Sequence, residues 1–323
     1  SATHTNRSGD GRVILMGLEL HHTPVMVPEI MQALKTQPGG RYIDGTLGEG
    51  GHSKSILNAV ESGGQVLGLD ADAEAITVAT ERLMEHGDAF LAINTNFRDI
   101  RATALRYEFV PVHGVLFDLG VSSLQLDRES RGFSFRRSDP LDMRFSFDQQ
   151  LTAADIVNEY AESELADLIF HLGEDRAARR IARLIVQKRP INTSLELAEL
   201  IEKVSPRRGK RMHPATRTFQ AIRIAVNDEL SALETALEQA VSLLGQGGRL
   251  AVISYHSLED RIVKNFIRKQ ASDCICPPGT PVCRCNHLAT LKMISRRPLT
   301  PTDSEIETNQ RSRSAKLRVA ERI

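Results

Sequence analysis

The chain has 323 residues, of which 41% are hydrophobic and 25% are charged, and its formal net charge at pH 7 is +0. A chain of this length and composition is expected to form about two globular domains. Zero net charge argues against a protein that binds nucleic acid over its whole surface. Because no apolar run approaches the roughly 18 residues of a membrane span, we expect a cytoplasmic protein without membrane contact.

In chain order, the polar, glycine-containing residues 1–20 are expected to form a flexible tail. A glycine-rich turn then follows the first predicted strand, where residues 44–52 read DGTLGEGGH. Glycine permits positive φ and close approach of a ligand to bare backbone, and the helix that begins near residue 53 offers unpaired N–H groups. The pattern predicts a nucleotide-sized site at a strand end; an ordinary strand-to-helix turn is the alternative.

The spacing of this turn narrows the choice of nucleotide. It does not read G-x-G-x-x-G, the dinucleotide pattern that a nicotinamide dehydrogenase would need. Asp44, at the end of the first strand, suits a positively charged ligand such as S-adenosylmethionine. The next predicted strand, residues 65–70, ends in Asp70, whose carboxylate is placed to accept hydrogen bonds from ribose hydroxyls.

Further strands are predicted at residues 91–93 and 115–118, with helices between them. This alternation predicts right-handed βαβ units and a parallel sheet with its ligand crevice at the carboxyl ends of the strands. Asp118 ends the fourth strand, and Ser122 and Gln125 follow it. These are hydrogen-bond acceptors rather than a nucleophile with a neighbouring base, which favours direct transfer to an amine. Alternatively, Asp118 only caps a helix or turn.

Residues 125–212 contain several amphipathic helices and no convincing strand, so we predict an all-helical domain inserted into an α/β sheet domain formed by residues 21–124 and 213–323. Basic residues concentrate in and around the insertion, which predicts a phosphate-binding surface; a solvated charged face is the alternative. They are Arg176, Arg179, Arg180, Arg183, Lys188, Arg189, Arg207, Arg208, Lys210, Arg211 and Arg217. Phenylalanines between arginines at residues 131–137 suit stacking on unpaired bases.

Sheet-type sequence returns after the insertion. Apolar residues three and four apart at 219–244 predict one long or once-broken helix, and strands are predicted at 250–253 and 316–320. His256 follows the first of these strands, and His213 lies where the insertion rejoins the sheet. Each of the two histidines has either a substrate role or a structural one.

The four cysteines form two Cys-x-Cys pairs, Cys274 with Cys276 and Cys283 with Cys285. Four thiolates could bind one structural zinc ion, although the usual spacing within a pair is wider. Free thiols are the alternative, and a reducing compartment disfavours disulfides.

Seven sequence blocks, taken together, resemble the RsmH (MraW) family of bacterial 16S rRNA cytosine-N4 methyltransferases. They are DGTLGEGGHS at 44–53, FDLGVSSLQLD at 117–127, RGFSF at 131–135, PLDMR at 140–144, HPATRTFQA at 213–221, SLEDRIVK at 257–264 and RSAKLR at 313–318. The resemblance runs from about residue 22 to the end of the chain. Residues 1–20 and the cysteine pairs are not part of it.

The resemblance implies a Rossmann-like class I S-adenosylmethionine-dependent methyltransferase domain interrupted by a helical domain. It also implies methylation of N4 of a decoding-centre cytidine in helix 44 of 16S rRNA, with the 30S subunit as partner. Carried over by position, Gly50, Gly51 and His52 contact the methionine part of the cofactor, Asp70 the ribose and Phe97 the adenine, while Asp118 and Gln125, with Asp44 and Gly48, complete the pocket.

The expected reaction is in-line transfer of the methyl group to N4 of a cytosine turned out of its stack. In this hypothesis Asp118 or Ser122 accepts a hydrogen bond from N4, and His256 or His213 helps to hold the cytidine. The residues also fit a methyltransferase that acts on small molecules or proteins, or a ribosome-binding factor without enzymatic activity. The oligomeric state is left open, with a homodimer as one option.

Overall fold

The computed structural model describes residues 23–61, 63–127, 130–205, 213–277, 280 and 282–323. The tail predicted at residues 1–20 lies outside the described residues, as do the predicted basic residues Arg207, Arg208, Lys210 and Arg211. Within the described part of the chain, no helix is both long and apolar enough to span a bilayer.

Seven strands form one sheet in the order β3-β2-β1-β4-β5-β7-β6. The strands are β1 (Arg41–Asp44), β2 (Gln65–Asp70), β3 (Phe90–Asn94), β4 (Val112–Asp118), β5 (Leu244–Ser254), β6 (Leu291–Met293) and β7 (Lys316–Arg322). The first five pair in parallel, and β7 is antiparallel to both of its neighbours. Because the strand order reverses between β1 and β4, a crevice opens beyond their carboxyl ends.

Helices connect the strands and fill the segment between β4 and β5. They are α1 (Val27–Leu34), α2 (Gly51–Val60), α3 (Ala73–Arg82), α4 (Ile100–Arg106), α5 (Ser123–Asp127), α6 (Ala153–Glu159), α7 (Glu162–Gly173), α8 (Ala178–Lys188), α9 (Ser194–Val204), α10 (Thr216–Asn227), α11 (Glu229–Leu243), α12 (Ser257–Gln270) and α13 (Asp303–Thr308).

Three groups of buried apolar side chains hold these elements together. One face of the sheet packs against α4, α11 and α12, and the other face packs against α1 and α2. The third group joins α6, α7, α8 and α9 to one side of α10. The helices of residues 153–204 therefore have a core of their own, and α10 connects that core to the sheet.

Local sequence signals explain several helix starts. Thr193 accepts a hydrogen bond from the backbone N–H of Glu196, whose side chain accepts from the backbone N–H of Thr193, so α9 begins with a capping box. Thr152 and Asp155 form the same reciprocal pair at α6. At α2, Gly50 has φ of 76° in the capping position, a conformation that favours glycine.

Of the two alternatives for residues 219–244, the structure has the once-broken helix, and the strands near it differ in extent from the prediction. The apolar repeat at residues 219–244 is divided between α10 and α11, because Asp228 takes a left-handed conformation with φ of 48°. Strand β5 begins at Leu244, so the predicted strand at 250–253 is the buried end of a longer one. The short strand β6 was not predicted.

Candidate functional site

A cavity of about 460 Å³ lies beyond the carboxyl ends of β1, β2 and β4. Its walls come from the glycine-rich turn, the ends of β2 and β4, the start of α5, residues 133–145, α10 and the turn after β5. The volume falls in the usual range for sites that hold a small molecule or cofactor. The crevice predicted from the strand order is therefore present.

The glycine-rich turn bends under the cavity. Asp44 is fully buried below the turn and accepts hydrogen bonds from the hydroxyl of Ser53 at 2.8 Å and from the backbone N–H of Thr46 at 3.2 Å. Burial raises the pKa of Asp44 above its usual value, although His52 and these hydrogen bonds lower it in part. Asp44 therefore supports the turn from behind, while Gly48, Gly51 and His52 line the cavity.

Asp70 is held at the cavity wall by backbone donors. Its two carboxylate oxygens accept hydrogen bonds from the N–H groups of Gly48 at 2.8 Å and Asp72 at 2.9 Å. Burial raises the pKa of Asp70 to about 6, and the two backbone N–H groups oppose the shift. Two carboxylate oxygens together have about four acceptor sites, so Asp70 keeps capacity for ligand hydroxyls.

Asp118 is held by side chains instead. The hydroxyl of Tyr255 donates to one oxygen at 2.7 Å, and Nε2 of His52 lies 3.3 Å from the other. The Asp118 backbone N–H donates to the hydroxyl of Thr46 at 2.6 Å, which joins the end of β4 to the turn. With 22% of its side chain exposed, the Asp118 carboxylate is accessible from the cavity.

The surroundings of Asp118 determine the protonation of its two donors. Burial lowers the pKa of His52, but its hydrogen bond to Asp118 and the nearby carboxylates raise it more, so the net shift is upward. Burial and the charge of Asp118 raise the pKa of Tyr255 well above its usual value. Tyr255 is therefore a neutral hydrogen-bond donor at physiological pH.

Gln125 belongs to a cluster of buried polar side chains that links the start of α3, α5 and the segment after α5. Its backbone N–H donates to the hydroxyl of Ser122 at 3.2 Å, and its side-chain amide donates to Asp72 at 3.2 Å. Asp72 also accepts from the guanidinium of Arg131 at 3.1 Å. Arg131 donates in addition to the backbone oxygen of Phe145 at 3.2 Å.

Aromatic side chains form the opposite part of the cavity. Phe133 and Phe145 stack with ring centroids 5.8 Å apart, and Phe135 meets Phe219 edge-to-face at 5.5 Å. All four line the cavity. His213 stacks on Phe135 at 4.3 Å from behind and lies 2.8 Å from Glu202, but it does not itself line the cavity.

His256 has a structural partner within its own helix. It caps α12 by accepting from the backbone N–H of Glu259 at 3.4 Å, and its Nε2 lies 3.0 Å from the Glu259 carboxylate. Burial raises the pKa of Glu259, but His256 and Arg223 lower it more, so the net shift is downward. His256 still lines the cavity.

The structure brings most of the predicted site residues together. The predicted residues that line the cavity are Gly48, Gly51, His52, Asp70, Phe97, Asp118, Ser122, Gln125 and His256. Asp44, Gly50 and His213 adjoin these residues without lining it. Sequence reasoning missed Thr46, Tyr255 and two phenylalanines of the cavity wall, Phe145 and Phe219. The position of Tyr255, directly after the strand next to β4, is a signal that could have found it.

The residues that line the cavity fit S-adenosylmethionine. The cavity combines apolar walls at Phe97 and Leu119 with two carboxylates, Asp70 and Asp118. Carboxylates suit a ligand that carries both hydroxyl groups and positive charge. The Nδ1 atom of His52 is buried, and no described residue hydrogen bonds to it, so it offers a further polar contact.

A parallel sheet of this order with a reversed β7, together with this cavity at its switch point, defines a class I S-adenosylmethionine-dependent methyltransferase. The sequence comparisons then identify the family. The MraW methylase family matches residues 19–323, and the chain belongs to that family. The predicted resemblance and fold class are confirmed.

Two relatives with the same name match nearly the whole chain. Ribosomal RNA small subunit methyltransferase H of Dehalococcoides mccartyi is 59% identical, over 95% of this chain and 88% of that protein. The protein of the same name from Thermomicrobium roseum is 50% identical, over 95% of each. Among solved structures, a SAM-dependent O-methyltransferase from Thermotoga maritima has a TM-score of 0.40 at 11% identity, covering 92% of this chain and 64% of that one.

Proposed function

We propose that this protein uses S-adenosylmethionine to methylate 16S rRNA of the small ribosomal subunit, on N4 of a decoding-centre cytidine in helix 44. The main observation that supports an amine as the methyl acceptor is the Asp118 carboxylate, which Tyr255 and His52 hold at the cavity wall. The names of the relatives support small-subunit rRNA as the substrate. The family resemblance in the sequence supports N4 and helix 44.

Asp118 suits an exocyclic amine as the acceptor group. The N4 amine of cytosine has two N–H donors, and its lone pair is delocalised into the ring. Two of the roughly four acceptor sites of Asp118 are occupied by Tyr255 and His52, so the others can accept an N–H. The carboxylate would orient the amine and stabilise the positive charge that develops as it reacts. Bound S-adenosylmethionine supplies the electrophilic methyl group.

The set of side chains around the cavity disfavours methylation on a ring carbon. A pyrimidine carbon is a poor nucleophile unless a thiolate or similar group first adds to the ring. Among the described residues that line the cavity, none is a cysteine. Direct transfer to an amine needs no such group.

The other three predicted catalytic residues, Ser122, His256 and His213, each fit a different role. Ser122 lines the cavity near Asp118 and is the second candidate to accept from N4. His256, in the turn after β5, would contact the cytidine while it caps α12. His213 would act through Phe135, on which it stacks, as a positioning residue.

The aromatic wall supports a flipped nucleobase as substrate. Phe133, Phe135, Phe145 and Phe219 present ring faces and edges beside the cavity, and bases removed from a duplex are commonly stacked on aromatic side chains. We propose that residues 125–212 act as an inserted substrate domain with the discontinuous domain of residues 21–124 and 213–323. The exposed arginines of α8 would then contact phosphates near the target base.

Mass spectrometry of the RNA product tests the proposal. Purified protein is incubated with S-adenosylmethionine and undermethylated 30S subunits, and the digested RNA is analysed for N4-methylcytidine and its isomer 5-methylcytidine. We expect N4-methylcytidine at one helix 44 position. The proposal would be contradicted if 5-methylcytidine were the only product or if no methylated nucleoside formed. A parallel reaction with naked 16S rRNA shows which form of the substrate the protein prefers.

The Asp118→Ala variant tests the proposed role of the carboxylate. At saturating cofactor we expect turnover to fall by about 100-fold or more, because orientation and charge stabilisation are both lost. Asp88→Ala, at an exposed aspartate, is the control. Turnover of Asp118→Ala close to that of the wild type would remove Asp118 from the mechanism.

A further inference from the structure

The four cysteine sulfurs meet in one cluster away from the cavity. The Sγ atoms of Cys283 and Cys285 are 3.5 Å apart, those of Cys274 and Cys285 are 3.8 Å apart, and those of Cys276 and Cys283 are 4.0 Å apart. All four lie within 4.8 Å of one another. A disulfide needs a sulfur separation near 2.05 Å, so these distances describe four separate thiols.

The distances match those of a tetrahedral metal site. A zinc ion bound by four sulfurs at about 2.3 Å separates each pair of sulfurs by about 3.8 Å. The three measured separations lie on both sides of this value. Thiolate sulfur also selects zinc over harder cations such as magnesium or calcium. We propose that Cys274, Cys276, Cys283 and Cys285 bind one structural zinc ion.

Backbone donors favour the thiolate form of this cluster. The N–H of Ile275 donates to Cys285 Sγ at 3.4 Å, and the N–H of Arg284 donates to Cys276 Sγ at 3.5 Å. Four thiolates around one Zn²⁺ have a formal charge of minus two, so donors to sulfur stabilise the complex. Each thiol releases its proton to solvent as it binds the metal.

Apolar packing does little to fix the shape of the described part of this segment. Ile275 is 43% exposed and Val282 is 67% exposed, so burial of apolar side chains contributes little there. Just beyond the cysteines, the N–H of Thr290 donates to the backbone oxygen of Gln270 at 2.8 Å, which attaches the segment to the end of α12. The zinc ion would therefore close the loop between α12 and β6, remote from the cavity.

Metal analysis of the whole chain tests the site. Protein purified with a reducing agent is expected to contain about one zinc per chain, with all four thiols reactive after denaturation and chelation. Cobalt substitution should give the intense visible absorption of tetrahedral thiolate coordination. Zinc content near zero even after incubation with ZnCl₂, or four thiols already oxidised to disulfides, would overturn the proposal, as would iron at one per chain.

Two variants identify the ligands. Cys274→Ser should lower bound zinc at least tenfold under competition with a chelator, whereas His287→Ala should keep one zinc per chain, because His287 Nε2 lies 2.9 Å from the backbone oxygen of Lys269. Binding of S-adenosylhomocysteine confirms that each variant is folded. Full zinc content in Cys274→Ser, or loss of zinc only in His287→Ala, would overturn the four-cysteine ligand set.

Discussion

Asp70 and Asp118 end the two strands on either side of β1 and line the same cavity, yet they are held by different kinds of donor. Asp70 accepts from two backbone N–H groups, which the fold fixes in place. Asp118 accepts from the side chains of Tyr255 and His52, which mutation can remove one at a time. The difference suits a fixed contact to the cofactor at Asp70 and an adjustable contact to the substrate at Asp118.

The raised pKa of Asp70 predicts pH-dependent cofactor binding. Without ligand, burial raises this pKa to about 6, so the carboxyl is protonated below that pH. Ribose hydroxyls that donate to the carboxylate would favour the ionised form and lower the pKa in the complex. Affinity should therefore be constant above about pH 7 and weaken as pH falls through 6, by up to about tenfold per pH unit.

Calorimetry with S-adenosylhomocysteine between pH 5 and pH 7.5 measures this dependence. The pKa of His52 is also raised, so the Asp70→Asn variant isolates the contribution of Asp70. The affinity of this variant should be weaker than that of the wild type and should lose most of the change below pH 6. Equal affinity of the wild type at pH 5 and pH 7.5 would exclude Asp70 as the ribose acceptor.

At the scale of elements, Asp72 joins the start of α3 to α5 and to the segment after it. Its side chain is 4% exposed, and that of its partner Arg131 is 5% exposed. The backbone N–H of Glu74 donates to Asp72 at 3.1 Å, so the same carboxylate caps α3. One buried acidic group therefore links Gln125 and, through Arg131, Phe145, which line different parts of the cavity.

Removal of this carboxylate should be costly. Asp72→Ala leaves the buried guanidinium of Arg131 with two backbone oxygens and the half-exposed Glu74 carboxylate at 3.9 Å, but without its buried counter-charge. It also removes the cap of α3. We expect the free energy of unfolding to fall by about 3 kcal/mol, measured by urea denaturation. Asp88→Ala, an exposed control, should change it by less than about 0.5 kcal/mol. A loss below about 1 kcal/mol in Asp72→Ala would contradict the proposed coupling.

Elements with strong local patterns were predictable from sequence. β2 and β4 are apolar runs that end in aspartate, and parallel strands bring such ends to one edge, so Asp70 and Asp118 were predicted at one ligand crevice. Strand β6 was missed because only Leu291 of its three residues is buried. A single break in the helix at 219–244 was one of the two alternatives, but its position at Asp228 was not predicted, because the apolar repeat continues across it.

Contacts between distant segments were not predictable from local patterns. Arg131 is 59 positions from Asp72, and Tyr255 is 137 positions from Asp118. Neither pair has a spacing that marks it, because each depends on how separate elements pack. The cysteine cluster is different, since its four members lie within one short segment and their spacing alone suggested a metal site.

At the scale of the whole molecule, a neutral chain must bind RNA through a local concentration of positive charge. Arg176, Arg179 and Arg180 are exposed near the start of α8. Arg189, in contrast, donates to the backbone oxygens of Val157 and Tyr160 and so has a structural role. Among the described members of the predicted basic set, Arg189 therefore does not serve as a free surface charge. The exposed ones are Arg176, Arg179, Arg180, Arg183, Lys188 and Arg217, most of them on or beside α8.

The paired variant Arg179→Gln with Arg180→Gln tests whether this surface binds phosphate. Loss of two phosphate contacts should reduce the slope of log affinity against log salt concentration by about 1.4 to 1.8. We expect the KM for 30S subunits to rise while the affinity for S-adenosylhomocysteine stays unchanged, because neither arginine lines the cavity. The charge-matched control is Arg101→Gln with Arg106→Gln, on the exposed side of α4. An equal change of slope in both paired variants would indicate general charge attraction, whereas a change confined to the α8 pair would assign RNA binding to the inserted helices.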